Sequence, residues 1–299
     1  MSAQPSEAVV AAAAEPAAPG LLVGVLRRLR SDPLGLLGLL LVLLVVACAV
    51  FGPAIAPYDP FKIHVLERFV APSWPHPFGT DNIGRDVFSR VIVGSRIALE
   101  VGGLSIAVAL VFGLVLGLCA GYGPRWLDNL LLLVFDSVYS FPTVILGLTV
   151  MTLVGPSTFN LILVVVVVQT PGYARLVRTA TLATKSAEYI LAIRSLGSSP
   201  ARILLVHILP NIVGPLFIIA SMDIPSVITL EAGPTYLGMG IPPPAPSWGR
   251  ILLEGYENIR DAPWIVVAGG IPLIVTTLGF TFLGESLRDL LDPRLRKVV

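Results

Sequence analysis

Six stretches of the chain are apolar for long enough to cross lipid, and polar, proline-rich or glycine-rich segments separate them. The first covers 33–51 and opens on Ser31-Asp32-Pro33, a capping side chain followed by a proline in the first helical turn. The segment 52–95 is too polar to cross a bilayer. The second stretch, 97–120, is rich in Gly and Ala, small residues that let a neighbouring helix come close. Gly121-Tyr122-Gly123-Pro124 ends it. The third, 130–154, contains Asp136 and Pro142 and starts near Asp128, which makes it the weakest span, one that can begin as an interfacial helix. After Gly155-Pro156-Ser157 a fourth span covers 159–173 around a run of valines. A polar stretch, 175–207, leads to a fifth span over 211–230, a loop over 231–262 and a sixth span over 263–283. Residues 1–20 form an Ala/Pro/Glu/Ser tract without periodicity, expected to be disordered.

Composition agrees with lipid as the solvent. Of 299 residues 55% are hydrophobic and 13% charged, against about 25% charged in soluble domains, and the mean hydropathy is +0.85. Six helices of about 20 residues each fit easily. The expected fold is all-α, a polytopic membrane protein with six transmembrane helices. Its parts are a tail with a basic end (1–30), the first span with a long loop (31–95), a core of five further spans (96–285) and a basic tail (286–299).

Charge fixes the expected orientation. With the amino terminus cytoplasmic, thirteen Lys and Arg fall in inside segments and seven in outside loops, as the positive-inside rule requires. Both termini are then cytoplasmic. A net charge of +1 without a basic patch speaks against nucleic-acid binding. Cys48 and Cys119 lie in apolar runs and read as small buried hydrophobes, and His64, His76 and His207 are too dispersed for a metal site. Neither the G-x-x-x-x-G-K-[ST] phosphate loop nor H-E-x-x-H nor G-x-S-x-G occurs. The chain is expected to hold no cofactor and to catalyse no covalent chemistry.

Two features carry candidate function. Residues 188–211 read as two short helices meeting at a corner. Ser186 is placed to cap the first, with Glu188 in its first turn. Gly197 suits a left-handed stop and Ser199-Pro200 restarts the helix. Such a knob can serve a partner, or it can be an ordinary loop on the headgroups. The other feature is acid inside the spans, which is costly in lipid and therefore a functional hypothesis: Glu100, Asp136, Asp223 and Glu231. Glu100 and Glu231 lie near outer ends and are expected to reach water. Asp223, about twelve residues into the fifth span, is either hydrogen-bonded to Ser221 or Ser226 or exposed to substrate in a pathway.

The 188–211 segment resembles the "EAA" loop of binding-protein-dependent ABC importer permeases. The positions of that signature are Leu191, Ala192 and Ile193, of which only Ala192 matches, while Gly197 and Leu209-Pro210 fit and Glu188-Tyr189 stands as in the peptide-transport branch. Three further segments are similar to the C-type permease of the dipeptide, oligopeptide and nickel group. Gly79-Thr80-Asp81 with Gly84-Arg85-Asp86 matches an extracytoplasmic motif, Tyr236 to Gly249 matches its P-S-W-G loop, and Leu283 to Arg296 its closing pattern. The resemblance implies the type I importer fold and a coupling loop at Glu188, Tyr189, Leu191, Ala192, Ile193, Arg194, Ser195, Leu196 and Gly197. It further implies a structural and docking loop at Gly79, Thr80, Asp81, Gly84, Arg85 and Asp86. The implied partners are a homologous permease, two ATP-binding subunits holding ATP and Mg, and an extracytoplasmic binding protein. Asp136 and Asp223 are the candidates for the pathway. Trp74, Trp248, Tyr256 and Trp264 are expected as interfacial anchors. An ion-coupled secondary transporter using Asp136 or Asp223, or an intramembrane enzyme, is the alternative from another class.

Overall fold

The computed structural model describes residues 32–291; the expected disordered and basic tails, apart from 286–291, lie outside them. Nine helices are named here. They are α1 (Pro33–Ile55), α2 (Val87–Tyr122), α3 (Arg125–Tyr139), α4 (Thr143–Val154) and α5 (Thr158–Lys185), then α6 (Glu188–Ser195), α7 (Pro200–Tyr236), α8 (Trp248–Glu257) and α9 (Trp264–Leu291). Five of them are long and apolar enough to cross a membrane by themselves.

The third apolar stretch is not one straight helix: it is apolar enough to span only as a bent pair, a broken span or a re-entrant loop. α3 and α4 meet at an angle of 82° across Ser140-Phe141-Pro142. Pro142 cannot donate to the helix ladder and restricts the residue before it, so the backbone turns there. The 12 residues of α4 reach about 18 Å, short of the ~30 Å of hydrocarbon. The fourth span also differs from expectation. It continues as unbroken helix through the polar residues 175–185, because polar side chains beyond the membrane core cost a helix nothing.

Side chains start the helices where the sequence places caps. Asp32 accepts from Leu34 N at 3.1 Å, Asp86 from Ser89 N at 2.7 Å and Ser157 from Asn160 N at 3.1 Å. Each satisfies a backbone donor that has no partner within its helix.

In lipid, burying apolar area drives nothing, so helix association relies on close fit. α2 and α5 form the most extensive helix pair, and glycines make it possible. A Cβ at Gly113 would stand 2.4 Å from Tyr173 Cβ, at Gly117 2.5 Å from the Ala174 carbonyl, and at Gly121 2.7 Å from Thr181 Cβ. Four-residue spacing puts all three on one face of α2. α1 lies on α9 in the same way, with a Cβ at Gly38 reaching 2.5 Å from Leu283 N. The core joining α2, α5, α6 and α7 contains Ile106, Leu110, Tyr173, Val177, Ile190, Ile203 and Leu216. A second core joins α1, α2, α8 and α9 around Val45, Val91, Trp248 and Ile265.

Gly117→Val is expected to lower the melting temperature of the solubilised protein, overpacking costing about 1–3 kcal/mol. Gly103→Val, which meets nothing within 4 Å, is expected to leave it in place. Thermal unfolding of the two variants side by side checks this.

Candidate functional site

Three polar assemblies are built on this frame: an elbow at one end, a charge-locked loop at the other, and a seam between them within the spans.

At the elbow, α6 is one short helix held between α5 and α7. Ile190 is buried and Ile193 packs on the same core. Ile193 thus seats the helix although it departs from the signature. The opposite side shows Tyr189 and Leu191 to solvent, and Leu196 just beyond the helix is 86% exposed. Glu188 stands in the first turn, but Ser186 does not cap it: its hydroxyl turns back to the Ala183 carbonyl, and Ala187 takes the cap position. Gly197 stops the helix at φ +83°, a left-handed position suited to glycine. Ser199 accepts from Arg202 N at 3.4 Å and starts α7. Ser195 bonds back to the Leu191 carbonyl, while Ala192 and Arg194 are exposed. Asn211 Nδ2 donates to the Tyr189 hydroxyl at 3.3 Å, tying α6 to α7.

At the other end, the residues matched to the outer motif are folded inward. Gly79 and Gly84 adopt φ +68° and +81°, and those turns aim Asp81, 0% exposed, into the protein. Its Oδ1 accepts from Ile83 N and Arg85 N, and its Oδ2 from Arg85 Nε and Arg90 Nη1, both at 2.6 Å. Glu254 of α8 completes the network, 2.5 Å from Arg90 Nη1 and 3.2 Å from Arg85 Nη2, with Arg250 at 3.3 Å. Burial would raise the Glu254 carboxyl, but Arg90, Arg85 and Arg250 outweigh it and hold the group below its ordinary value. Asp86 caps α2 and sits 2.8 Å from His76 Nδ1. The Thr80 hydroxyl donates to the Glu67 carbonyl and accepts from Val70 N at 2.8 Å. Outside this network lies a hollow of about 680 Å³, lined by Tyr58, Lys62, His64, Glu67 and His76 among others. Glu254 escaped the sequence reading; an Arg250/Glu254 pair one turn apart on α8 is its only local signal. Trp248 was expected as an anchor and is instead core, 1% exposed, its Nε1 donating to the Val91 carbonyl.

The seam runs where α3, α5 and α7 meet. Arg178 grips Asp128 with two hydrogen bonds, at 2.5 and 2.7 Å. Arg175 Nη2 reaches Asp136 Oδ1 at 2.5 Å and its guanidinium lies 4.7 Å over the Tyr139 ring. Asp223 accepts from the buried Tyr173 hydroxyl at 2.8 Å. Neither expected serine partner serves it: Ser221 bonds the Ile218 carbonyl, and Ser226 the backbone carbonyl of Asp223 itself. Glu231, expected to reach water, is fully buried on α7, with Thr235 on one oxygen and no partner on the other. Among the described residues no group of His, Cys, Asp and Glu is placed to hold a metal.

The chain matches two family models. Residues 113–297 match the binding-protein-dependent transport system inner membrane component, and residues 20–72 the N-terminal transmembrane domain of oligopeptide transport permease C. This chain is a member of the binding-protein-dependent transport permeases. Among its relatives, the dipeptide transport system permease protein DppC of Alkalihalophilus pseudofirmus is 34% identical over 90% of this chain and 89% of its own. The glutathione transport system permease protein GsiD of Pectobacterium atrosepticum is 37% identical over 86% of each. The fold resembles an inward-facing structure of the MetNI methionine ABC transporter, at TM-score 0.55 and 20% identity, covering 68% of this chain and 97% of that one. The protein is therefore a multi-pass inner-membrane permease subunit of an ABC importer of the peptide and glutathione transport family, and not its ATPase. Binding-protein-dependent transport implies ATPase and binding-protein partners. Membership sets aside the ion-coupled and enzymatic alternatives.

Glu254→Ala leaves Arg85 and Arg90 buried without one counter-charge and is expected to cost about 3–5 kcal/mol. The readout is faster amide exchange over residues 78–90. A lowered carboxyl stabilises above its ordinary value of 4.5 and loses that contribution as pH falls through the depressed value. Once each rate is divided by the intrinsic base-catalysed rate at the same pH, wild-type exchange in this segment should accordingly rise on acidification below pH 4.5 and stay flat above it.

Proposed function

We propose that this chain forms half of the translocation pathway of an importer for short peptides, paired with a homologous second permease. In this reading two ATP-binding subunits, which hold the ATP and Mg, dock on α6, and an extracytoplasmic binding protein delivers the cargo. The observation that carries the coupling role is the exposed apolar face of α6. Tyr189, Leu191 and Leu196 stand out from a helix whose other side is anchored by Ile190. Exposed apolar side chains on a rigidly seated helix are what a protein partner recognises.

The 56–86 loop faces the binding protein in this reading. Asp81, Arg85 and Asp86 hold its shape, and the hollow beside Lys62, His64 and Glu67 is the surface offered for docking. The amino and carboxyl termini and α6 share the cytoplasmic side, in agreement with the Lys and Arg distribution. The seam at Asp136 and Asp223 lines the pathway. The two acids sit on helices of the core with side chains at least partly exposed, where lipid contact would be costly. Peptide cargo is supported by the oligopeptide permease model and by the relatives named for dipeptide and glutathione transport.

Gly197→Val tests the coupling role. A β-branched residue at φ +83° is strained, by about 1–3 kcal/mol, although nothing crowds the site. In the reconstituted transporter this variant is expected to lose transport and cargo-stimulated ATP hydrolysis together. Gly197→Asn, which tolerates the left-handed region, should keep both. Normal coupling in the valine variant would refute the role.

Orientation is tested separately. A single cysteine at the exposed Ser73, with Cys48 and Cys119 removed, should react with an impermeant thiol reagent in cells whose outer face is accessible. Reaction only after membrane disruption would invert the topology.

A further inference from the structure

The seam holds three aspartates but only two of them meet a cation. Asp128 is neutralised by Arg178 and Asp136 by Arg175. Asp223 has only the Tyr173 hydroxyl, a neutral donor, on its Oδ2. Among the described residues no Lys, Arg or His reaches it, and its Oδ1 makes no hydrogen bond. Its neighbours on α7 do not help. The Ser221 and Ser226 hydroxyls are committed to backbone carbonyls. From α3, Tyr139 carries the Arg175 guanidinium on its ring and lies near enough to Asp223 to interact with it electrostatically, but the two share no hydrogen bond.

Tyr173 is itself fixed. It is 3% exposed and stands on the α5 face that closes against Gly113. Its hydroxyl therefore pins one carboxylate oxygen and leaves the other without a hydrogen bond on a partly buried side chain. A carboxylate this deep in a span is tolerated only against water or protein. A pinned, open acceptor without a counter-charge suits a cation that arrives and leaves. A divalent metal would want several oxygen ligands, and no cluster of acids surrounds Asp223. A primary ammonium fits one carboxylate oxygen, in a charge-assisted hydrogen bond that a single contact keeps weak enough to release.

We infer that Asp223, oriented by Tyr173, is a transient subsite on the pathway wall for the α-ammonium group of passing peptides. The inference rests on the peptide-importer reading above and names the cargo group that the seam meets.

The test uses the whole transporter in proteoliposomes with its binding protein. The probes are alanyl-alanine and N-acetyl-alanyl-alanine, and import of each is divided by the amount of binding protein loaded with it. In wild type the free-amine peptide should pass faster. Asp223→Asn should lower the free-to-acetylated ratio about tenfold, the scale of one charge-assisted hydrogen bond. Asp223→Glu should restore much of the ratio, and Tyr173→Phe should lower it less than Asp223→Asn does. An unchanged ratio in Asp223→Asn overturns the subsite. So does loss of the second permease on purification of that variant, which would make Asp223 an assembly contact. Failure of wild type to import either dipeptide, with ATP hydrolysis still stimulated by the binding protein, would remove the peptide reading and this inference with it.

Discussion

The backbone-to-backbone approach of α2 and α5 is the constraint on which both functional regions depend. Gly113, Gly117 and Gly121 leave no room for a Cβ, and opposite them stand Tyr173, Ala174 with Val177, and Thr181. Each level of this contact positions something different. At Gly113 it fixes Tyr173, whose hydroxyl holds Asp223. One and two turns further along, it fixes the part of α5 that carries Arg175 and Arg178 towards α3. At the end of α2, Lys185 donates to the Tyr122 carbonyl at 3.2 Å and lies over the Tyr122 ring. The take-off of α6 is thereby tied to the same helix pair. Three glycines govern a membrane site and a surface helix together because lipid supplies no hydrophobic drive between helices, and close fit has to do that work.

Charge is handled differently in the three regions. In the loop, two arginines share two buried carboxylates, and each charged group has several partners, the arrangement that makes burial of ions tolerable. Along α3 and α5 the ions come in one-to-one pairs, one of them well exposed, which fits a surface that meets water or another subunit. Asp223 and Glu231 on α7 have hydroxyl partners alone. They differ in access: Glu231 is sealed within the protein, while Asp223 is only partly buried. That difference, and not the presence of an acid in a span, separates a buried structural carboxylate from a candidate contact for cargo.

Much of this was legible in the sequence. Long apolar runs give span number and place, and Gly197 and Ser199-Pro200 give the elbow because their backbone preferences are local. Local signals also misled. Ser186 precedes an acid-started helix and still does not cap it, since the Ala183 carbonyl competes for its hydroxyl. Hydropathy averages composition and is blind to helix direction, so it merged α3 and α4 and cut α5 short at Tyr173. Trp248 sits in a loop that reads as a membrane boundary, yet it fills the core beneath the loop. The partners of Asp81 and Asp223 could not be read at all. Glu254 and Tyr173 lie far along the chain from them, and only helix packing brings them near.

The same geometry bears on how a push at α6 could reach the seam. α5 runs without a break from Tyr173 to Lys185, beside α6, and α7 runs from the elbow through Asp223 to Tyr236. The Tyr173–Asp223 bond therefore bridges two levers that both end at α6. α7 also carries a π-helical turn at Ile203–Ile208, between the elbow and the seam. Such turns are rare and collect at functional sites. α5 has no corresponding turn on its side of the bridge, and its glycine contact with α2 leaves it little freedom to slide. Under the proposed coupling, a push at α6 would then move α7 relative to α5 more readily than α5 relative to α2. The distance from Tyr173 to Asp223 is the quantity that such a motion changes first.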